Sequence, residues 1–386
     1  MRETSKLIID AEALENNIKF LKSFIGKKVR FSSVVKGNAY GHGISQFVPL
    51  LEKNGVDHFS VFSAAEAEEV LRCSSGDPTI LIMGWLDNPD IEWAILNKVQ
   101  FFVFEWERFL MTIDIAKKLK IKAYVHVEIE TGLNRTGFDV SSIPHIANLL
   151  KQNKEWVVFQ GLCTHYAGAE SVANYLRIQR QIVNFNSAYK LFAKNGIRPK
   201  IKHTACSAAT ISYPKSRMDL VRIGILQYGF WPSKETMIDF FNHYKKQFHA
   251  DPLKRVITWK SYIMSVKHVK SGEFIGYGTT YIAHQDMTVA VIPVGYAHGY
   301  SRSLSNQGRV LIRGSRVGVL GIVNMNLIVV EVTLFEGLKT GEEVILIGAQ
   351  GNLNISVASF GELSEQLNYE LLTRLSPYIP REVVNA

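Results

Sequence analysis

Cysteine is scarce in this chain of 386 residues: Cys73, Cys163 and Cys206 are odd in number and lack CxxC spacing. That excludes a disulfide framework and a zinc site built on paired cysteines, and it suits a reducing compartment. Long apolar runs are missing too; no window approaches about 18 uninterrupted apolar residues, so no spanning helix and no membrane partner is expected. The opening residues, Met1-Arg2-Glu3-Thr4-Ser5-Lys6, carry an acid and no apolar segment, so a cytoplasmic location is expected. Concentrated charge is also lacking. The 44 basic and 35 acidic residues leave a net charge of +9, but the densest basic groups, Lys245-Lys246 and Lys267-His268-Val269-Lys270, are short. A nucleic-acid partner is therefore not expected, whereas a diffuse positive excess suits anionic small molecules. No stretch reads as a linker, and no repeat with a period of about 20–50 residues occurs.

What is present is an ordinary globular composition, 47% hydrophobic, 11% aromatic and 20% charged, at a length that suggests two or three domains. Between about residues 28 and 230, short β-rich runs alternate with longer stretches of helical spacing. Eight runs stand out: Val29–Val35, Phe59–Phe62, Ile80–Met83, Phe101–Phe104, Ala123–Ile129, Val157–Thr164, Ile201–Thr204 and Leu220–Ile225. The intervening stretches include Ile44–Lys53, Ala64–Leu71, Glu105–Leu119, Ser142–Gln152 and Ala173–Asn195. Eight strand–helix units predict parallel pairing and an α/β fold, a (β/α)8 barrel of the TIM type, with a doubly wound sheet as the alternative. An amphipathic helix after Asp10, with Leu14, Ile18, Leu21 and Ile25 on one stripe, precedes the first unit. From about residue 252, β-branched runs broken by glycine or charged turns predict a mostly antiparallel β-domain. The expected division is residues 1–240 for the barrel and 241–386 for the β-domain, with a last helix near Val357–Leu367.

Active sites of such barrels lie at the C-terminal ends of the strands. There the first run ends in Lys36, followed by a glycine-rich stretch to Gly43. A lysine closing an apolar strand either pairs with a carboxylate or, desolvated, becomes a nucleophile able to form a Schiff base with a carbonyl. The fifth run leads into Glu128, Glu130 and Arg135, which taken alone read as a structural ion pair. Thr164-His165-Tyr166 ends the sixth run. Ser207 opens a helix after the seventh, and Arg222-Ile223-Gly224-Ile225 closes the eighth, which suits the phosphate cradle usual at that end of a barrel. No metal-ligand cluster competes, and no metal is expected.

Val35-Lys36-Gly37-Asn38-Ala39-Tyr40-Gly41-His42-Gly43 resembles the pyridoxal-phosphate signature of the alanine racemase family. Eight further stretches resemble it in order: Glu130 to Gly137, Thr164 to Ala167, Ser207 to Ala209, Val221 to Gly224 with Tyr228-Gly229, Gly276-Tyr277-Gly278, Gly295-Tyr296-Ala297, Asn324-Met325-Asn326 and Asn368-Tyr369-Glu370. The resemblance spans nearly the whole chain. It implies a pyridoxal 5'-phosphate enzyme that interconverts L- and D-alanine for cell-wall peptidoglycan precursors, as a homodimer whose subunits share active sites.

By that resemblance Lys36 holds the cofactor and acts as one of two catalytic bases. Tyr277, from the partner subunit, is the other, its phenolate supported through His165 and Arg222. Arg222 faces the pyridine nitrogen; Arg135 meets the phenolic oxygen and orients the substrate carboxylate with the Met325 amide. Tyr40, Ser207, Gly224, Ile225 and Tyr369 hold the phosphate, and Tyr296 lines the entrance. Several positions depart from the common pattern: Glu128 stands where many members carry a carbamylated lysine, Glu130 replaces an aspartate, Cys206 an asparagine and Ile223 a proline. Asn324 and Asn326 replace cysteine and aspartate around Met325, so a broad-specificity or serine-directed racemase is the alternative reading. A barrel decarboxylase of basic amino acids and a non-enzymatic pyridoxal-phosphate carrier are more distant ones; the first lacks its expected β-domain cysteine here, and the second resembles a barrel alone.

Overall fold

A computed structural model of the chain describes residues 3–358, 360 and 368–386. It divides the chain into two compact units. One comprises Ala13–Gly37 and Phe47–Lys254; the other comprises the residues through Glu12, Asn38–Gln46 and Arg255–Ala386.

The first unit is built on eight parallel strands: β2 (Arg30–Val34), β3 (His58–Val61), β4 (Thr79–Ile82), β5 (Gln100–Val103), β6 (Ala123–Glu128), β7 (Val157–Cys163), β8 (Ile201–His203) and β9 (Leu220–Ile223). They pair in the order β8-β7-β6-β5-β4-β3-β2-β9. At the seam between β8 and β9, Asp219 N–H donates to the Lys202 carbonyl at 3.1 Å and Arg222 N–H to that of Ala205 at 3.0 Å. The sheet thus closes almost completely into the expected (β/α)8 barrel. Helices cover its outside. In α7 (Ile143–Gln152) the buried residues are Ile143, Ile146, Ala147 and Leu150; in α8 (Tyr175–Lys194) they are Ile178, Gln181, Phe185, Ala188 and Phe192. Burying a side chain such as Phe185 contributes about 1.5–3 kcal/mol.

The barrel interior is polar, where branched apolar side chains are the usual filler. Ser32, Ser60, His58, His126, His203 and Arg222 are all buried. Ser32 Oγ lies 2.7 Å from Ser60 Oγ and 2.8 Å from His58 Nδ1, which pairs the two hydroxyls and one nitrogen of the imidazole. Leu81, Phe102 and Cys163, with Met83 and Phe104 packed against them, form an apolar patch in the same unit.

The second unit carries the expected mostly antiparallel sheet, ordered β11-β12-β15-β14-β13-β16-β10-β1-β18. Its strands are β1 (Ser5–Asp10), β10 (Ile257–Tyr262), β11 (Ser265–Val269), β12 (Met287–Ile292), β13 (Arg309–Ile312), β14 (Ser315–Leu320), β15 (Ile328–Glu331), β16 (Glu343–Gln350), β17 (Leu353–Ile355), which pairs with β16 off this path, and β18 (Arg381–Val384). Val269, Ile275, Met287, Val289, Leu320 and Val329 are among the residues of one core cluster beneath it. The first strand departs from the expected division. β1 pairs antiparallel with β10 and parallel with β18, so the residues before α1 (Ala11–Ile25) belong with the β-unit instead of the barrel. The alternation in Ser5–Asp10 is legible, but its partners lie some 250 and 370 residues further on. The expected helix at Val357–Leu367 falls largely outside the described residues. No helix among the described residues is long and apolar enough to cross a membrane.

Candidate active site

Lys36 opens α2 (Lys36–Tyr40), a single turn that winds left-handed: φ is +63° at Gly37, +52° at Asn38, +52° at Ala39 and +51° at Tyr40. Only glycine adopts that region freely, and other residues pay roughly 1–2 kcal/mol each. The turn is held from both ends. In the barrel unit, Gly37 N–H donates to Glu66 Oε1 at 2.6 Å. In the other unit, Gly43 N–H donates to the Asn38 carbonyl and Ile44 N–H to Asn38 Oδ1, each at 2.9 Å. The reversal turns the chain just past the end of β2, where Lys36 stands.

At the mouth, Lys36 makes no ion pair among the described residues. Burial of its ammonium among neighbouring side chains lowers its pKa, the positive charges of Arg135 and Arg222 lower it further, and Glu66 opposes them. The amine is therefore biased toward the free, nucleophilic form. Of the two sequence alternatives, the structure favours this one over a carboxylate partner. His165 is neutral for the same reasons: burial and the charges of Arg222, Arg135 and Lys36 push its pKa down to about 3.

Arg222 is only 4% exposed. Its donors go to the ring and carbonyl of His203 and to the carbonyls of Thr164, at 3.0 Å, and Thr204, at 3.4 Å. No hydrogen bond joins Arg222 to His165, so that link of the expected relay is electrostatic here. Ser207, first residue of α9 (Ser207–Ser212), accepts the Gly224 N–H at 2.9 Å, which brings Ser207, Gly224 and Ile225 together as expected.

The acids after β6 behave differently from the expected ion pair. Glu130 is partly buried, which alone would raise its pKa, but the amides of Asn134, Gly132, Arg135 and Leu133 outweigh this and lower it. It thereby folds the loop that presents Arg135, at 2.8 Å to Asn134 N and 2.7 Å to Leu133 N. The spacing of an acid ahead of Thr-Gly-Leu-Asn-Arg is the sequence signal for such an amide nest. Glu128 is buried and its pKa is raised, chiefly by desolvation, against Thr136, Arg222 and Arg135.

The remaining expected residues lie in the β-unit. Tyr40 and Tyr369 sit with ring centroids 6.1 Å apart. Tyr296 and Met325 share a loop pair, with Tyr296 N–H donating to the Asn324 carbonyl and Ala297 N–H to that of Met325, each at 3.0 Å. Tyr277 stands between Gly276 and Gly278, both at positive φ, and is 75% exposed. Among the described residues no cluster of histidine, cysteine and acid could hold a metal ion.

An anionic carbonyl cofactor fits the donor set of the mouth. An uncommitted lysine, two arginines, a neutral histidine and a serine–amide corner converge, with Glu128 as the one buried carboxylate among them. Pyridoxal phosphate would fit such a set: Lys36 could hold its aldehyde, the Ser207–Gly224 corner its phosphate and the arginines its ring.

A nearly closed barrel with an unpaired lysine at its mouth, joined to a second, β-rich unit, defines a two-domain barrel enzyme of the amine–carbonyl type. The chain belongs to the alanine racemase family: residues 9–232 match the family's N-terminal domain model and residues 256–383 its C-terminal domain model. The alanine racemase of Leptospira interrogans is 32% identical over 391 residues, covering 100% of this chain and 97% of that one. That of Clostridium perfringens is 33% identical, covering 97% and 93%. A solved alanine racemase of Clostridium difficile superposes with a TM-score of 0.88 at 30% identity, covering 100% of this chain and 96% of that chain.

Proposed function

We propose that this chain is a pyridoxal-phosphate-dependent alanine racemase, interconverting L- and D-alanine, and that Lys36 is the residue to which the cofactor attaches. The observation that carries the reading is Lys36 at a barrel-strand end, beside Arg135 and Arg222 and without an ion pair among the described residues, in a chain that matches the family over both domains. Pyridoxal phosphate is the cofactor of that family, and when bound it supplies an electron sink for the α-carbon. The match over both domains gives no support to a carrier consisting of a barrel alone, nor to a decarboxylase.

The protein's own residues then divide the work. Racemisation needs a proton taken from one face of the α-carbon and returned on the other, so two bases must stand on opposite faces. Lys36 Nζ is one. Tyr277 is the other, supplied by the partner subunit of a homodimer; its exposure within one chain agrees with a role completed by a second copy. A tyrosine of pKa near ~10 needs nearby positive charge to act as a base, and Arg222 offers it through neutral His165. Arg222 would hold the ring nitrogen, and its positive charge would disfavour protonation there and limit side reactions. Arg135 and the Met325 amide orient the substrate carboxylate. Ser207, Gly224, Ile225, Tyr40 and Tyr369 hold the phosphate, and Tyr296 borders the entrance. Residues 241–386 serve the neighbouring site, and the enzyme works in the cytoplasm, feeding peptidoglycan precursor synthesis.

A panel of L-alanine, L-serine, L-lysine and L-glutamate offered to purified, cofactor-loaded protein tests the substrate. Alanine turned over well above the others is expected. Preference for another amino acid would make Asn324 and Asn326 the determinants of a different specificity.

A further inference from the structure

We propose that His203, His126 and Gln100 form a one-way hydrogen-bond chain through the barrel core that holds Arg222 in place without neutralising it, which makes all three positioning residues for the reaction. The positioning role rests on the reading above, in which Arg222 faces the cofactor ring.

The direction of the chain follows from its first member. A guanidinium can only donate, so His203 Nδ1, which meets Arg222 Nη1, must be bare. The neutral ring then carries its proton on Nε2, 2.7 Å from His126 Nδ1. That proton makes His126 Nδ1 an acceptor in turn and leaves the second imidazole protonated on Nε2, 2.7 Å from Gln100 Oε1. Each group has one permitted role, set from the Arg222 end.

The surroundings keep the chain neutral and rigid. Both imidazoles are fully buried, and the groups facing them are Arg222 and His58; burial, with those neighbours, holds both far below the usual histidine pKa. Every acceptor on Arg222 is a ring nitrogen or a carbonyl, and none is a carboxylate. The guanidinium is thus fixed by dipoles, with Glu128 acting on it only electrostatically, without a hydrogen bond. The Phe102 ring centroid lies 6.2 Å from that of His126, 5.9 Å from that of His203 and 5.9 Å from Arg222 Cζ. Across the β6–β7 register His126 faces Gly161, where any Cβ would overlap His126 Nδ1. Breaking the chain at Gln100 leaves a buried N–H without an acceptor. Reorienting the imidazoles to satisfy it removes the acceptor from Arg222.

Nuclear magnetic resonance on 15N-histidine-labelled holoenzyme reads the tautomers. Bare Nδ1 and protonated Nε2 are expected in both rings from about pH 6 to 9; a proton on either Nδ1 would overturn the chain. Gln100→Met keeps the bulk and removes the last acceptor, and Gly161→Ala pushes His126 aside. If Arg222 moves, the alanine amino group passes more often to the cofactor and pyruvate is released. In both variants the ratio of pyruvate released to D-alanine formed is expected to rise several-fold, a readout that partial unfolding does not change. An unchanged ratio in both would refute the positioning role. Absence of racemisation by the unaltered holoenzyme would instead remove the functional reading and the positioning role with it, while the tautomers would still decide the chain.

Discussion

Glu66 Oε1 accepts the Gly37 N–H at 2.6 Å while its second oxygen accepts the Phe62 N–H at 2.8 Å, so the residue after Lys36 is tied to the end of β3. Both oxygens are needed because both partners are donors. Glu66→Gln sets an amide NH2 against one of those N–H groups and removes the larger of the two nearby charges, Glu66 and Cys206, that raise the Lys36 pKa. The variant should lose about 1 kcal/mol of stability in urea titration, and its apo-form should capture pyridoxal phosphate at lower pH than the parent. An unchanged pH midpoint for capture would show that Glu66 does not tune the lysine.

Lys36→Ala should fold with a near-normal thermal midpoint, because no ion pair is lost, yet abolish the visible absorbance of covalently held cofactor. A spectrum identical to that of the parent would remove Lys36 from its assigned role.

Tyr277→Phe separates the two faces of the reaction. With Lys36 intact, proton abstraction from the L-enantiomer should slow far more than abstraction from the D-enantiomer, measured as loss of α-deuterium from each labelled substrate. Equal slowing in both directions would speak against two bases on opposite faces.

Buried histidines set the acid limit of the fold. The pKa of His42 is lowered to about 4, and those of His58 and His165 to about 3, in each case mainly by burial. All lie below the ordinary value of about 6.5, so beneath that pH the unfolded chain binds more protons than the folded one. Their stabilisation is therefore present above about pH 6.5 and is lost as pH falls toward the folded values, at up to roughly 1.4 kcal/mol per pH unit for each histidine. The urea midpoint should drop between pH 7 and 5, and His58→Gln should flatten the slope. A midpoint unchanged over that range would contradict the assignment of neutral, buried rings.

Much of this was legible in the sequence because it is local. Helix α3 occupies Ile44–Lys53 as its spacing predicts, and the fourth barrel strand is shifted by one residue from the expected Phe101–Phe104. Helix α5 (Asn88–Leu96) was not read, since its apolar residues do not gather on one face: Ile91, Ala94 and Ile95 are buried while Leu96 is exposed. Helix α10 (Lys234–Tyr244) falls where a domain boundary was expected and packs Phe240 against the nearby Trp231 and against Phe20 and Phe24, rings far from it in sequence. The left-handed turn after Lys36 is fixed in part by its own Gly37, Asn38 and Gly43 and in part by Glu66, 29 residues further on. Lys36, Arg135 and Arg222 could be named from strand ends, but the roles of Glu66, Glu130 and the His203–His126 pair depend on which amides and rings meet in space.

The most direct measurement follows L-alanine and D-alanine, each as the pure enantiomer, with the purified cofactor-loaded protein until no further change occurs. A racemase must carry both to the same equal mixture, because the two products are mirror images of equal free energy. Convergence on that mixture is the predicted result. A loaded protein that leaves each enantiomer untouched, or that releases carbon dioxide from either, would contradict the account.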